Sequence, residues 1–218
     1  MPAERGRMPV SEAEDRARVL AEYGVSRETA ARLDIYVAQL RRWQRVKNLV
    51  GPATLDEVWT RHIADALQLL ALAPEARSWL DLGSGAGIPG LVLAIAGAER
   101  SGLEVELVES NGRKCAFLTE TARLCGAPAR ISNARIETLI AARSGVEIVC
   151  ARALAPLAQL LAWTEPLLKS GTTGLFLKGR DVDAELTDAA REWRFTVDLL
   201  SSRTDSAARI ARVTAPGT

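Results

Sequence analysis

The sequence predicts an α/β protein: a seven-stranded, mostly parallel sheet with a C-terminal antiparallel hairpin, preceded by a helical region. Three observations predict it. Short apolar or β-branched runs alternate with amphipathic runs from about residue 76 to residue 193. A glycine-rich stretch, LDLGSGAGIPG at 80–90, follows the first such run and opens the first helix of the alternation. The last two strand-like runs, RFTVDLL and AARIARV, have no helix between them. Residues 1–75 therefore form a helical region and 76–218 the sheet-bearing domain.

The elements follow in order. Residues 1–10 read as a loose end. Ser11 and Glu14 make a capping-box pattern for a helix reaching Tyr23, with Gly24 as its stop. Ser26 starts a longer helix whose apolar stripe is Leu33, Val37, Leu40, Trp43 and Val46. The segment 48–52 breaks it. Thr54 and Glu57 read as a second capping box, opening a helix to about Leu70. Then come SWLDL (strand), LVLAIAGA (helix), LEVELVES (strand), and GRKCAFLTETARLCG, a helix that Gly126 ends. ARISN, ETLIAAR, VEIVCARA, LAQLLAWTEPLL, TGLFLKG and DVDAELTDAAREW continue the alternation before the terminal hairpin. Crossovers between parallel strands are right-handed, so helices should cover both faces.

Composition excludes several classes. The chain has 218 residues, 48% hydrophobic and 25% charged, with a net charge of +1. That is an ordinary globular balance, and any nucleic-acid footprint must be a local patch. Three cysteines without a C-x-x-C pair argue against a disulfide framework or a zinc site. No run approaches the ~18 apolar residues of a membrane span, and the N-terminus lacks a signal-peptide core. The expectation is a cytoplasmic protein without a metal.

The glycine loop holds two overlapping fingerprints. Gly85, Gly87 and Gly90 give G-x-G-x-x-G, the dinucleotide pattern of an NAD(P)-dependent oxidoreductase. Gly83, Gly85 and Gly87 give G-x-G-x-G behind Asp81. A pyrophosphate would favour the helix N-terminus, and a carboxylate beside it would oppose that ligand. Asp81 suits a cationic ligand instead. S-adenosylmethionine has an amino group and a sulfonium and lacks phosphate, so the Asp81 register favours it. Glu109, ending the second strand, is placed to accept from a ribose diol, which either ligand offers. Ile136, in SNARIE after the third strand, can lie against an adenine or belong to the core. Gly90 then reads as a glycine for helix packing.

These residues resemble a known family. WLDLGSGAGIPGLVLAI, VELVESNGRKCAFL, NARIETL, ARAL and LFLKG occur in order, and NLVGPATLDEVWTRHIADAL lies upstream. From about Leu40 to Lys178 the chain looks like RsmG, or glucose-inhibited division protein B, the bacterial 16S rRNA guanine-N7 methyltransferases. The resemblance implies a Rossmann-like class I methyltransferase fold, S-adenosylmethionine as donor, and 16S rRNA or the small ribosomal subunit as partner. It implies donor contacts from Gly83 and Ile88, Ile136 and Glu137 flanking the adenosine, and Arg152 at the donor–substrate junction. Gly85 and Glu109 are read as donor-binding from the loop and strand positions themselves. Family members often carry aspartate where Glu109 stands, and many end in a longer basic tail.

The chemistry is compatible. Guanine N7 has a lone pair and no proton, so alignment behind the donor methyl suffices and no general base is needed. No Asn-Pro-Pro-Tyr segment, the usual mark of base-amino methylation, follows the fourth strand. Arg152 is read as a positioning residue, with Lys178 and His62 as further candidates. Cys150 is read as a small buried hydrophobe rather than a nucleophile. His62 and Asp65, three apart, are expected to be neighbours on one helix face. RNA binding needs positive surface. Residues 32–62 hold six Lys/Arg against three acids, and 111–135 hold five against one. Arg41, Arg42, Arg45, Lys47 and Arg113 are the RNA-binding candidates. The helical region is expected to face the RNA, and the protein to act as a monomer.

Overall fold

The computed structural model describes residues 11–216, and the loose end expected at 1–10 lies outside them. The elements are α1 (Glu12–Glu22), α2 (Arg27–Gln44), a π-helical turn (Trp59–Ala64) running into α3 (Asp65–Leu72), β1 (Ser78–Leu82), α4 (Gly90–Ala96), β2 (Glu104–Glu109), α5 (Gly112–Cys125), β3 (Ala129–Asn133), α6 (Ile136–Ile140), β4 (Ile148–Arg152), α7 (Leu157–Lys169), β5 (Thr173–Lys178), α8 (Val182–Glu192), β6 (Thr196–Ser201) and β7 (Arg209–Thr214).

The seven strands form one sheet in the order β3-β2-β1-β4-β5-β7-β6. β1 to β5 pair in parallel, and β7 lies antiparallel to both β5 and β6. The order reverses at β1, between β2 and β4, which places the ligand crevice at the carboxyl ends of these strands.

Period-two alternation sorts the core into two layers. Trp79, Val105, Leu107, Ile148, Cys150, Leu175 and Ile210 face α2, α3, α4 and α5. Leu80, Leu82, Val108, Val149, Ala151, Phe176 and Ala211 face α6, α7 and α8. Buried side chains of the N-terminal helices (Leu33, Tyr36, Leu40, Trp59, Ile63, Leu69) belong to the first layer. The helical region is thus built onto one face of the sheet.

Helix ends follow the local signals with two exceptions. Ser11 and Glu14 form the reciprocal capping box, Ser26 caps α2, and Gly126 ends α5 at φ 59°. Val46, expected in the α2 stripe, lies beyond the helix end and is 70% exposed. Thr54 does not cap a helix. Its hydroxyl donates to Gly51 O at 2.7 Å and meets His62 Nε2 at 2.8 Å. The regular helix starts five residues later, as the π turn. Loop contacts outweigh the capping pattern here because Thr54 stands in a short 3₁₀ turn, Pro52–Thr54.

Candidate active site

The glycine loop leaves β1 with Gly83, Gly85 and Gly87 all left-handed, at φ 62°, 55° and 81°. That region is costly for residues with a Cβ, so the three glycines set the loop's path. The loop is tied down from three sides. Ser84 N–H donates to Val108 O at 3.0 Å. Gly85 N–H donates to Glu109 Oε2 at 3.0 Å. The buried Tyr36 hydroxyl of α2 donates to Ala86 O at 2.9 Å.

Beside the loop lies a cleft of about 300 Å³, lined by Gly83, Ser84, Gly85, Ala86 and Ile88, by Leu49 to Gly51 and Thr54, and by His62, Lys114, Arg152 and Ala153. It brings together Gly83, Gly85, Ile88, His62 and Arg152 from the residues the sequence singles out. Glu109 stands just behind, mostly buried, its carboxylate accepting from Gly85 N–H and, at 2.8 Å, from Asn111 N–H. An ionised carboxylate has about four acceptor positions, so it retains capacity for a diol. Ile136 and Glu137 begin α6 outside this lining. Ile136 packs on the second core layer and Glu137 is exposed. A larger cavity, about 650 Å³, opens at the opposite end of the sheet, among Ser78, Glu104 and Ala129. It holds Glu106 already saturated by Arg130, Arg143 and Ser132, and doubly wound sheets bind ligands at the other end.

The structure corrects the role given to Asp81. It is fully buried on the α4 side of β1, not in the cleft. Its Oδ2 accepts from Gly90 N–H at 3.1 Å, and Cys150 Sγ–H points at Oδ1 from 3.8 Å. Burial pushes its pKa up to about 7. A Cβ on Gly90 would stand 2.5 Å from Asp81 Oδ2, so Gly90 is a packing glycine as expected. The case against a dinucleotide survives on different grounds. Pro89 has no N–H, Gly90 N–H is held by Asp81, Gly87 and Ile88 N–H go to Ser84 O, and Leu91 N–H goes to Gly87 O. The start of α4 has no donor left for a pyrophosphate.

Arg152, at the end of β4, is mostly buried. Its Nη1 donates to Arg61 O at 2.8 Å and lies 3.3 Å from Asp65 Oδ2. Burial pushes Arg152 down and Asp65 up, and each opposes the other's shift. His62 and Asp65 turn to different partners, Thr54 and Arg152, so they do not act as a pair on one face. Lys178 is not free to meet a phosphate. Its ammonium is held by Glu185 at 2.5 Å and donates to Ala155 O at 2.9 Å, pinning the loop after β4. Cys150 is buried, as read from sequence. Tyr36, Thr54 and Lys114 were missed. Tyr36 lies within the apolar stripe of α2, where nothing local marks it.

His62 carries a further consequence. The Thr54 hydroxyl donates to Gly51 O, so its oxygen accepts from His62 Nε2–H. That leaves Nδ1 bare, buried and without a partner. Burial, with Arg152 nearby, lowers the His62 pKa to about 3. Between its ordinary 6.5 and about 3, the unfolded chain binds a proton that the fold refuses, so acid costs stability through His62. Asp81 acts with the opposite sign, its contribution being lost as pH rises from 3.8 to about 7. Comparison with His62→Gln isolates the histidine. In denaturant titrations below pH 6.5, wild type should lose stability relative to the variant by up to about 1.4 kcal/mol per pH unit. Parallel profiles would refute a neutral His62.

Of the predicted RNA-binding residues, Arg41 pairs with Glu12 at 2.7 Å and Arg42, largely exposed, with Glu120 at 3.8 Å. Arg45, Lys47 and Arg113 are exposed. The end of α2 meets α5 through Trp43 and Phe117, edge-on at 5.7 Å. The two basic segments therefore adjoin near the cleft, where Lys114 enters the lining.

Sheet order, glycine loop and cleft define a class I S-adenosylmethionine-dependent methyltransferase fold. An O-methyltransferase from Bacillus cereus in complex with SAH shares it at TM-score 0.58 and 16% identity, over 82% of this chain and 90% of that one. A protein from Corynebacterium glutamicum does so at TM-score 0.57 and 18% identity, over 84% and 91%. Sequence narrows the class. The family model for GidB, rRNA small subunit methyltransferase G, matches residues 29–209. Ribosomal RNA small subunit methyltransferase G of Methylobacterium radiotolerans is 77% identical over 201 residues, 92% of this chain and 95% of that protein. The protein of the same name from a Bradyrhizobium species is 55% identical over 193 residues, 88% and 87%. The chain belongs to the rRNA small subunit methyltransferase G family.

Proposed function

We propose that the protein methylates N7 of a guanine in 16S rRNA of the bacterial small ribosomal subunit, with S-adenosylmethionine as donor. The cleft fits that donor: glycines leave its floor open, Ile88 supplies an apolar wall, and Glu109 has acceptor positions for the ribose diol. When bound, the donor supplies an electrophilic methyl on sulfur. Gly83 and Gly85 would admit it, Glu109 would orient the ribose, and Ile136 with Glu137, at the start of α6, would flank the adenosine where it leaves the cleft. Arg152 positions the acceptor from the end of β4.

An acceptor atom that carries no proton is supported by the surroundings of His62. The histidine lines the cleft as a neutral imidazole with a pKa of about 3, a poor base for removing a proton. Guanine N7 needs none removed. The test is transfer of labelled methyl to small-subunit RNA lacking the modification, as naked RNA and as subunit, with the product base mapped. Label on a pyrimidine or an exocyclic amine would overturn the reading.

The proposed RNA track is the basic surface of α2, in the helical region, together with that of the adjoining α5 of the sheet-bearing domain. Arg42→Glu should weaken RNA binding about tenfold at low salt and lower the salt slope by about one, leaving donor affinity unchanged. Filter binding across a salt series, with calorimetry for the donor, checks both. An unaltered slope would remove Arg42 from the track. The protein is proposed to act as a monomer in the cytoplasm.

A further inference from the structure

The turn between β6 and β7, residues 202–208, lies far from the glycine loop in sequence. It is nevertheless joined to the one helix face that holds Arg152. Arg61, Asp65 and Gln68 are spaced i, i+4, i+7, so they share a face. All three turn to this segment. Arg61 Nη1 reaches Asp205 Oδ2 at 2.9 Å. Asp65 Oδ1 accepts from the Thr204 hydroxyl. Gln68 accepts from Arg203 N–H at 3.0 Å and donates to Ser202 Oγ at 3.3 Å. From the opposite side, Arg61 O and Asp65 Oδ2 receive Arg152. A second cavity of about 230 Å³ has Arg61, Asp65, Arg152, Thr204 and Asp205 in its wall, and it shares Arg152 and Ala153 with the donor cleft.

We infer that Thr204 is a positioning residue for methyl transfer, setting Asp65 so that its other carboxylate oxygen holds the Arg152 guanidinium at the meeting of the two cavities. The inference rests on the methyl-transfer reading and is independent of which base atom is methylated. Asp65 has two carboxylate oxygens. Thr204 and, more weakly at 3.2 Å, Gln68 Nε2 hold Oδ1, which aims Oδ2 at Arg152. Without Thr204 only the longer Gln68 bond restrains rotation of the carboxylate. Ala153, next to Arg152, is left-handed at φ 49°. Among the described residues it alone is a non-glycine with positive φ, so the backbone holding Arg152 is itself constrained. The groups facing Asp65 are Arg152 from β4, Arg61 from its own helix, Thr204 and Asp205 from the turn, and Tyr23 from α1. Thr204 and both arginines hold its pKa down against burial.

The test compares wild type, Thr204→Val, Thr204→Ser and Asp205→Asn on small-subunit RNA, reading kcat, KM, the pH–rate profile and melting temperature. Thr204→Val should lower kcat about tenfold, the worth of one hydrogen bond to a charged group. Its donor affinity should be unchanged, and the acid limb of its pH profile should move to higher pH. Thr204→Ser should restore both. Asp205→Asn, at a partly exposed turn position, should fold normally and give a smaller loss of kcat through Arg61. A merely structural tether would lower the melting temperature and leave kcat and the acid limb at wild-type values; that result, or failure of serine to rescue, overturns the proposal. Should Thr204→Val not fold, wild-type kcat in Asp205→Asn overturns it. An inactive wild type would instead overturn the methyl-transfer reading itself.

Discussion

Replacing Gly83 with aspartate should abolish S-adenosylmethionine binding, with affinity falling at least about 100-fold, or about 2.7 kcal/mol. Two costs combine. Gly83 sits at φ 62°, where a residue with a Cβ is strained by about 1–2 kcal/mol. Its Cβ would also stand 2.4 Å from Leu154 Cδ1. Leu154 belongs to the ARAL loop and follows the cleft residues Arg152 and Ala153, so its side chain must be displaced beside the cleft. Gly83→Ala carries both costs without the added charge and should show most of the loss. Calorimetry with the donor measures the effect, and circular dichroism checks that the fold persists. Undiminished affinity in a folded variant would show that the donor does not cross this loop.

Arg152→Ala is expected to have the second largest effect, on catalysis and on stability together. Methyl transfer should fall at least about 100-fold if the guanidinium aligns the acceptor, since positioning alone can be worth several kcal/mol. The fold should lose about 3 kcal/mol, because Asp65 would remain largely buried without its cation. The pH dependence separates this cause from simple loss of packing. The Asp65 pKa already lies above its ordinary value through burial, and Arg152 opposes the shift. Removing Arg152 raises it further. A carboxyl whose folded pKa is raised contributes stability at low pH that is lost as pH rises through that value. The deficit of Arg152→Ala should therefore grow from acid towards neutral pH and shrink when combined with Asp65→Asn. A deficit independent of pH and additive with Asp65→Asn would leave the ion pair without a role.

The parts legible in the sequence were those set by short-range rules. Alternation along SWLDL, LEVELVES and VEIVCARA fixes which face each strand residue takes, and both core layers follow it. Glycines at 83, 85 and 87 mark a backbone that only they adopt readily, so the loop's position is written in the sequence. Ser11 with Glu14, Ser26 and Gly126 mark helix ends through bonds to residues three or four away. The glycine loop and the terminal hairpin could be read at this level, as could the family.

Tertiary structure decided the direction and occupancy of each polar group. Asp81 looked like a cleft carboxylate because it precedes Gly83, yet the pleat turns it beneath α4 with Trp79 and Cys150. Lys178 looked available, but Glu185, a helix away, takes its charge. Thr54 matched a capping box and instead fixes the tautomer of His62. Tyr36 and Thr204 gave no signal, since each acts through a partner 50 or 139 positions away. Hydrogen bonds and ion pairs form wherever the fold brings donor and acceptor within about 3 Å. Composition and periodicity determine which elements form. Only their packing determines which charges are spent inside the protein and which remain for the donor and the RNA.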